Sequence, residues 1–247
     1  MDILYVIGKG SKKDNLELRM SLRSIARFGS NIDKVIVVGD PPKWLSSEVI
    51  KVTVADKYSY KHSNILHCIE QVVDQGIVKG DFLYSSDDHF YVKPVDFNSY
   101  PYYLKGELRS RVEPKDFFFK YHQSLVDTRI LCLKYGLPTK NYSQHCNTHM
   151  HTEVIKDIKE ILHESYTLPY GVEPTSIIMN AWQTYENAPQ TIYREDIKIQ
   201  SANTIEELIK AIGDRESFSI SDYIFKGAAI LQFFKDVYGE KSIYERD

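Results

Sequence analysis

The sequence predicts an α/β fold with a mostly parallel central sheet flanked by helices. Three observations carry that expectation. Short apolar runs alternate with 3.6-residue amphipathic patterns through the first half, as βα units do. The runs end at glycine or at turn-forming residues. Of 247 residues, 43% are hydrophobic and 26% charged, which is enough apolar material for a sizeable core and argues against disorder.

The elements follow in order. Residues 2–8, DILYVIG, read as a buried strand closed by Gly8. After the polar loop GKGSKKDN, Leu18, Leu22, Ile25 and Ala26 share one helical face, with Arg19, Arg23 and Arg27 as a basic stripe nearby. KVIVVGD, residues 34–40, is the second strand and Pro41-Pro42 its stop; residues 49–56 are the third. Ser63 is placed to cap a helix that carries Ile65, Ile69 and Val72, and Gly76 to end it. DFLYSSDD, residues 81–88, is a strand that runs into two carboxylates. In the less regular second half, residues 117–121 read as a strand, 124–135 as a helix before Gly136, and 152–164 as another helix. Thr204 with Glu207 forms a capping box, and a last helix is expected from about Ser221-Asp222 to Gly239. No repeat, low-complexity tract or Gly/Ser linker interrupts the sequence, so one domain over 1–247 is expected, its first half (1–123) nucleotide-binding and its second (124–247) closing over it.

Composition narrows the function. No stretch approaches the ~18 apolar residues of a membrane span, and the first apolar run is too short for a secretory leader. Cys68, Cys132 and Cys146 are odd in number and contain no CxxC pair, which fits a reducing, cytoplasmic setting. With 31 basic and 34 acidic side chains the net charge is -3, giving no global pull toward nucleic acid. GKGSKK lacks the spacing of a phosphate-binding P-loop, there is no GxGxxG, and no GxSxG elbow supports a hydrolase.

The most informative residues are Asp87 and Asp88, at the carboxyl end of an apolar strand where ligands of open α/β sheets bind. Adjacent carboxylates repel unless a cation joins them, and hard oxygen donors select Mg or Mn. A solvated polar turn is the plain alternative. His145 and His149 lie four apart and form a candidate metal pair if helical, though loop histidines with ordinary hydrogen bonds read equally well. Asp222 suits the start of the last helix, where capping alone favours a carboxylate. Arg19, Lys57 and Lys61 are candidate phosphate partners or simply surface charges.

The succession DILYVIGKGS, ELRMSLRSIARF, DKVIVVGDPPKWL, NILHCIEQVV and DFLYSSDDHFYVKP, with SFSISDYIF and FFKDVYGEKSIYE at the end, resembles the blocks of the Stealth family of sugar-phosphate transferases. That resemblance implies a GT-A-like fold with a helical C-terminal cap and a nucleotide-sugar donor, UDP-linked by expectation. It assigns the metal and the donor diphosphate to Asp87 and Asp88, a place near the transferred group to His149, a catalytic or supporting carboxylate to Asp222, and the nucleotide to Gly8, Arg19 and Asp40; apart from the resemblance, Arg19 or Lys57 is expected to offset charge on the leaving group. The sequence departs from the family at Ser86, where Asn is usual, and at His151, where Pro is common. The resulting expectation is a Mg- or Mn-dependent glycosyltransferase acting on a glycan or other hydroxyl acceptor. Alternatives are hexose-1-phosphate transfer in capsular polysaccharide synthesis, glycosylation of a modified DNA base, and a non-catalytic sugar-binding module.

Overall fold

The computed structural model describes the chain except residues 10–12, 222, 223 and 247. Its principal strands, in chain order, are β1 (Asp2–Ile7), β2 (Lys34–Gly39), β3 (Val49–Thr53), β4 (Asp81–Ser85), β5 (His89–Tyr91), β6 (Tyr102–Leu104), β7 (Thr148–His151), β8 (Thr191–Tyr193), β9 (Lys198–Ile199) and β10 (Ser217–Ile220). The helices are α1 (Leu16–Phe28), α2 (Lys61–Asp74), α3 (Phe119–Lys134), α4 (Thr152–Asp157), α5 (Lys159–Ser165), α6 (Pro174–Trp182), α7 (Ile205–Ile212) and α8 (Ala228–Tyr238).

The central sheet has the order β7-β4-β1-β2-β3, with β1 to β4 parallel and β7 antiparallel at one edge. This is the expected mixed α/β architecture, a mostly parallel sheet between helices. The period of two in the strands sorts the side chains between its faces. Leu4, Ile36 and Val38 point into a core with α2, α4 and α6, whereas Ile3, Tyr5, Val35 and Val37 meet Leu18, Leu22 and Ile25 of α1 on the other face. A smaller sheet, β9-β10-β5, carries its own core of Phe90, Phe218 and Ile220 under α7 and α8. The second half therefore interleaves with the first, lending β7 to the central sheet and taking β5 into its own.

Gly39 has a structural reason to be glycine. Its φ is +107°, and a Cβ there would stand 2.2 Å from the carbonyl oxygen of Ile7, the same oxygen that accepts from the Asp40 amide at 2.8 Å. At the other end of the chain Glu245 clamps the tail onto α1. It accepts from Arg23 Nε at 2.7 Å and Nη2 at 2.8 Å, while Arg246 donates to the Leu45 carbonyl.

Several expectations are corrected. Residues 117–121 are not a strand: Phe117 and Phe118 are exposed, and α3 already begins at Phe119. The helix expected over 152–164 is two helices, broken at Ile158. Ser63 lies inside the first turn of α2 rather than before it, and the last helix starts at Ala228, with Asp222 outside the described residues. The Thr204 cap is as expected, its hydroxyl accepting from the Glu207 amide at 3.1 Å. Among the described residues no helix is long and apolar enough to cross a membrane.

Candidate functional site

Strand order fixes where a crevice can form. The chain leaves β1 through α1 on one face, adds β2 and β3 on one side, then returns through α2 on the other face to place β4 on the far side of β1. The carboxyl ends of β1 and β4 are thus the switch point at which open α/β sheets bind their ligands. Gly8 follows β1 there, Asp40 follows the neighbouring β2, and Ser86-Asp87-Asp88 follows β4.

The acidic turn is held from both sides. Before it lies β4, in the central sheet; after it β5 pairs with β10, Ser219 opposite His89. Ser21 of α1 donates to the His89 carbonyl at 2.7 Å and shares a 3.0 Å hydrogen bond with the Tyr5 hydroxyl. Burial, with the Asp87 charge adding to it, pushes the Tyr5 hydroxyl up to about 12. His89 is buried, its Nδ1 bonded to Asn147 Oδ1 at 3.0 Å, and burial lowers its ring to about 4, so it is neutral.

Asp88 sits in a charge cluster assembled from distant segments. Lys198 Nζ donates to its Oδ2 at 3.1 Å, and both side chains are mostly buried. The Lys198 amide is held by Asp196 Oδ1 at 3.2 Å; Asp196 also accepts from Lys105 Nζ at 2.7 Å and faces His145 Nδ1 at 3.1 Å. Burial alone would raise the Asp88 carboxyl, but the charges of Lys198 and His145 outweigh it and hold the group below its ordinary value. Asp196 is held far below its own by the same balance, burial opposed by His145 and Lys105. Among the described residues Oδ1 of Asp88 is buried with no hydrogen bond of ordinary length, and the nearby Ser219 hydroxyl helps to lower the carboxyl.

These donors fit a magnesium-like ion, which takes one or two carboxylates and fills its remaining positions with water and substrate phosphate. Asp87 and Asp88 would hold it. Among the described residues no three His, Cys, Asp or Glu side chains converge to cage a metal by themselves, so the substrate would have to complete the shell.

The other candidates are placed differently. His149 is buried on β7, its Nδ1 facing Asp81 at 3.1 Å and its Nε2 the Tyr100 carbonyl at 2.7 Å, with the ring stacked on Tyr102. Both nitrogens face oxygen acceptors, Asp81 of which stands at the amino end of β4, the opposite end from the acidic turn. His145 and His149 do not share a helical face, because β7 is a strand. Arg19 is taken up by Asp14 at 3.1 Å, Glu245 at 3.4 Å and the Trp44 ring. Lys57 is exposed beyond β3, at the far edge of the sheet, its ammonium over the Tyr58 ring. Asp40 is exposed at the carboxyl end of β2 and Gly8 has open space around it. Asp222 lies outside the described residues. Lys198, Asp196 and Lys105 were missed in the sequence. The one signal for them was alternation in DIKIQ, which marks a strand but names no partner.

A shallow hollow of about 500 Å³, lined by Asp2, Asp33, Lys34 and Asp81, opens at the amino end of the sheet, away from the acidic turn. No protein-family model matches the chain, and no curated protein matches it.

Proposed function

We propose that this protein is a transferase that moves a sugar from a nucleotide-sugar donor, UDP-linked by expectation, to a hydroxyl of a glycan or similar acceptor. The observation that carries the reading is the acidic turn Asp87-Asp88 at the switch point of the parallel sheet, with a buried Asp88 oxygen that has no hydrogen bond of ordinary length among the described residues. A GT-A-type arrangement, suggested by the sequence blocks, is part of the proposal. So is a cytoplasmic setting, which three free, buried thiols fit.

In this reading Asp87 and Asp88 hold Mg or Mn. The bound ion supplies charge that stabilises the departing diphosphate. The turn between β4 and β5 keeps the two carboxylates in place, and Lys198 and Lys105 bring positive charge to the same side. The second half of the chain binds the acceptor.

Calorimetry with UDP, GDP, ADP and dTDP, each with and without Mn, tests the assignment. One of them should bind in a metal-dependent way, and Asp88→Asn should remove that dependence. Product analysis then distinguishes the chemistry. A nucleoside diphosphate means glycosyl transfer; a monophosphate means transfer of a sugar phosphate, the Stealth-type reaction. A protein that binds none of the four nucleotides refutes the proposal.

A further inference from the structure

Lys198 is built into the site. It lies on β9, 110 residues from Asp88 in the chain, and its ammonium reaches Asp88 Oδ2 at 3.1 Å with only 19% of the side chain exposed. Its backbone is fixed by Asp196, which Lys105 and His145 hold in turn. A solvated surface lysine has no such anchoring.

An ion pair this well covered is a poor stabilising device, because the desolvation of both partners offsets their attraction. Its geometry makes sense as part of a binding site. The ammonium occupies one oxygen of the carboxylate to which the proposal above assigns a divalent ion, while the other oxygen has no hydrogen bond of ordinary length among the described residues, the Ser219 hydroxyl being the nearby uncharged group. A doubly charged, hard cation competes with the ammonium for Asp88 and outweighs it. Lys198 would then lose its counter-ion in a half-desolvated position, where the nearest new anion is the diphosphate drawn to that cation. Its flexible four-carbon stem allows the short movement, and lysine serves as a point-charge ligand for phosphate.

We infer that Lys198 is the donor-phosphate ligand of this site, held on Asp88 as an exchangeable counter-ion: cation binding at Asp88 releases the ammonium, and the diphosphate takes it. This rests on the transferase reading and names a residue for it. Asp196 is the positioning residue, since it acts on the ligand only through Lys198.

The test uses the full chain with Lys198→Met, which keeps the length of the side chain, and Lys198→Arg, which keeps the charge. Two affinities are measured: Mn alone, by electron paramagnetic resonance, and the best of UDP, GDP, ADP and dTDP at saturating Mn, by calorimetry. In Lys198→Met the Mn affinity should rise several-fold, because the competitor is gone. The diphosphate affinity should fall about 10- to 100-fold, the value of one charge-assisted contact. Lys198→Arg should retain most of the diphosphate affinity. The opposite signs matter, because a variant that merely damages the fold loses both affinities. If both stay at the wild-type values, or both fall together and Lys198→Arg restores neither, Lys198 is only a structural partner of Asp88 and the inference is overturned. If the wild type binds neither Mn nor any of the nucleotides, the transferase reading fails and this inference with it.

Discussion

Glu245→Gln should destabilise the fold by about 2 kcal/mol near neutral pH, taking about 1.5 kcal/mol for the charge-assisted hydrogen bond lost at Oε2 and about 0.5 kcal/mol for the charge lost from the one at Oε1. The side chain is 1% exposed and accepts from Arg23 at 2.7 and 2.8 Å. Its Oε1 also accepts from the Ser242 amide at 3.1 Å and hydroxyl at 3.2 Å, so a glutamine oxygen there keeps these and a neutral bond from Arg23 Nε, while the amide group in place of Oε2 faces Arg23 Nη2 and, at 3.4 Å, Arg19. The low end of the scale is used because Arg23 still donates to the carbonyls of Tyr238 at 2.9 Å and Gly239 at 3.2 Å, so its charge is not stranded. For a chain of this size ~1 kcal/mol corresponds to about 2–4 °C, so Tm should fall by about 4–8 °C. Burial raises the Glu245 carboxyl, but the hydrogen bonds and charge of Arg23 outweigh it and hold the group below its ordinary 4.5. A depressed folded value means that the unfolded chain binds more protons, so this stabilisation is complete above the unfolded pKa and is lost as pH falls through the folded one. Differential scanning fluorimetry of both proteins from about pH 7 down to about pH 3 should therefore show a wide gap in Tm that closes in acid. A gap under about 2 °C at neutral pH, or one as wide in acid as at neutrality, would refute the clamp.

Two further substitutions test the frame around the site. Gly39→Ala forces a side chain into the Ile7 carbonyl oxygen at a positive φ and should cost at least ~3 kcal/mol, seen as a loss of soluble, cooperatively melting protein; a wild-type melting curve would contradict the φ argument. His149→Phe removes bonds to Asp81 and to the Tyr100 carbonyl and should lower stability by ~2–4 kcal/mol in urea denaturation, yet leave Mn affinity unchanged; a large loss of Mn binding in a folded variant would assign His149 to the metal instead.

The central sheet was legible because its signals are local. DILYVIG, KVIVVGD and DFLYS are short apolar runs with stops, and α1 declares its buried face at 3.6-residue spacing. Where the pattern is uniform or lacks a partner, it misleads. All nine residues of α6 are buried, so VEPTSIIMNAW shows no polar face by which to recognise a helix; Glu173 accepting from the Thr175 and Ser176 amides and Pro174 in the first turn were the available cues. Phe117 to Phe119 carry strand propensity, but no strand lies beside them, and the residues turn into α3 instead. In the site, Asp87 and Asp88 could be found because they stand at the end of a recognisable strand. Lys198 could not, because periodicity tells which face is covered and not what covers it.

The way Asp88 is mounted bears on how such a site would gain affinity. A carboxylate on a free loop must be ordered when it binds, and that entropy is subtracted from the contact energy. Here β4 belongs to one sheet and β5 to another, Ser21 ties the backbone at His89, and Asn147 fixes the His89 ring. The turn is anchored on both sides without any ligand. A buried oxygen without a hydrogen bond costs the folded protein about 1–3 kcal/mol. At Asp88, Oδ2 is satisfied by Lys198 while Oδ1 has no hydrogen bond of ordinary length among the described residues, a deficit that an incoming cation would relieve. Preorganisation and the under-satisfied oxygen thus act in the same direction, and replacing Asp88 removes the second while the strands that frame the turn keep the first.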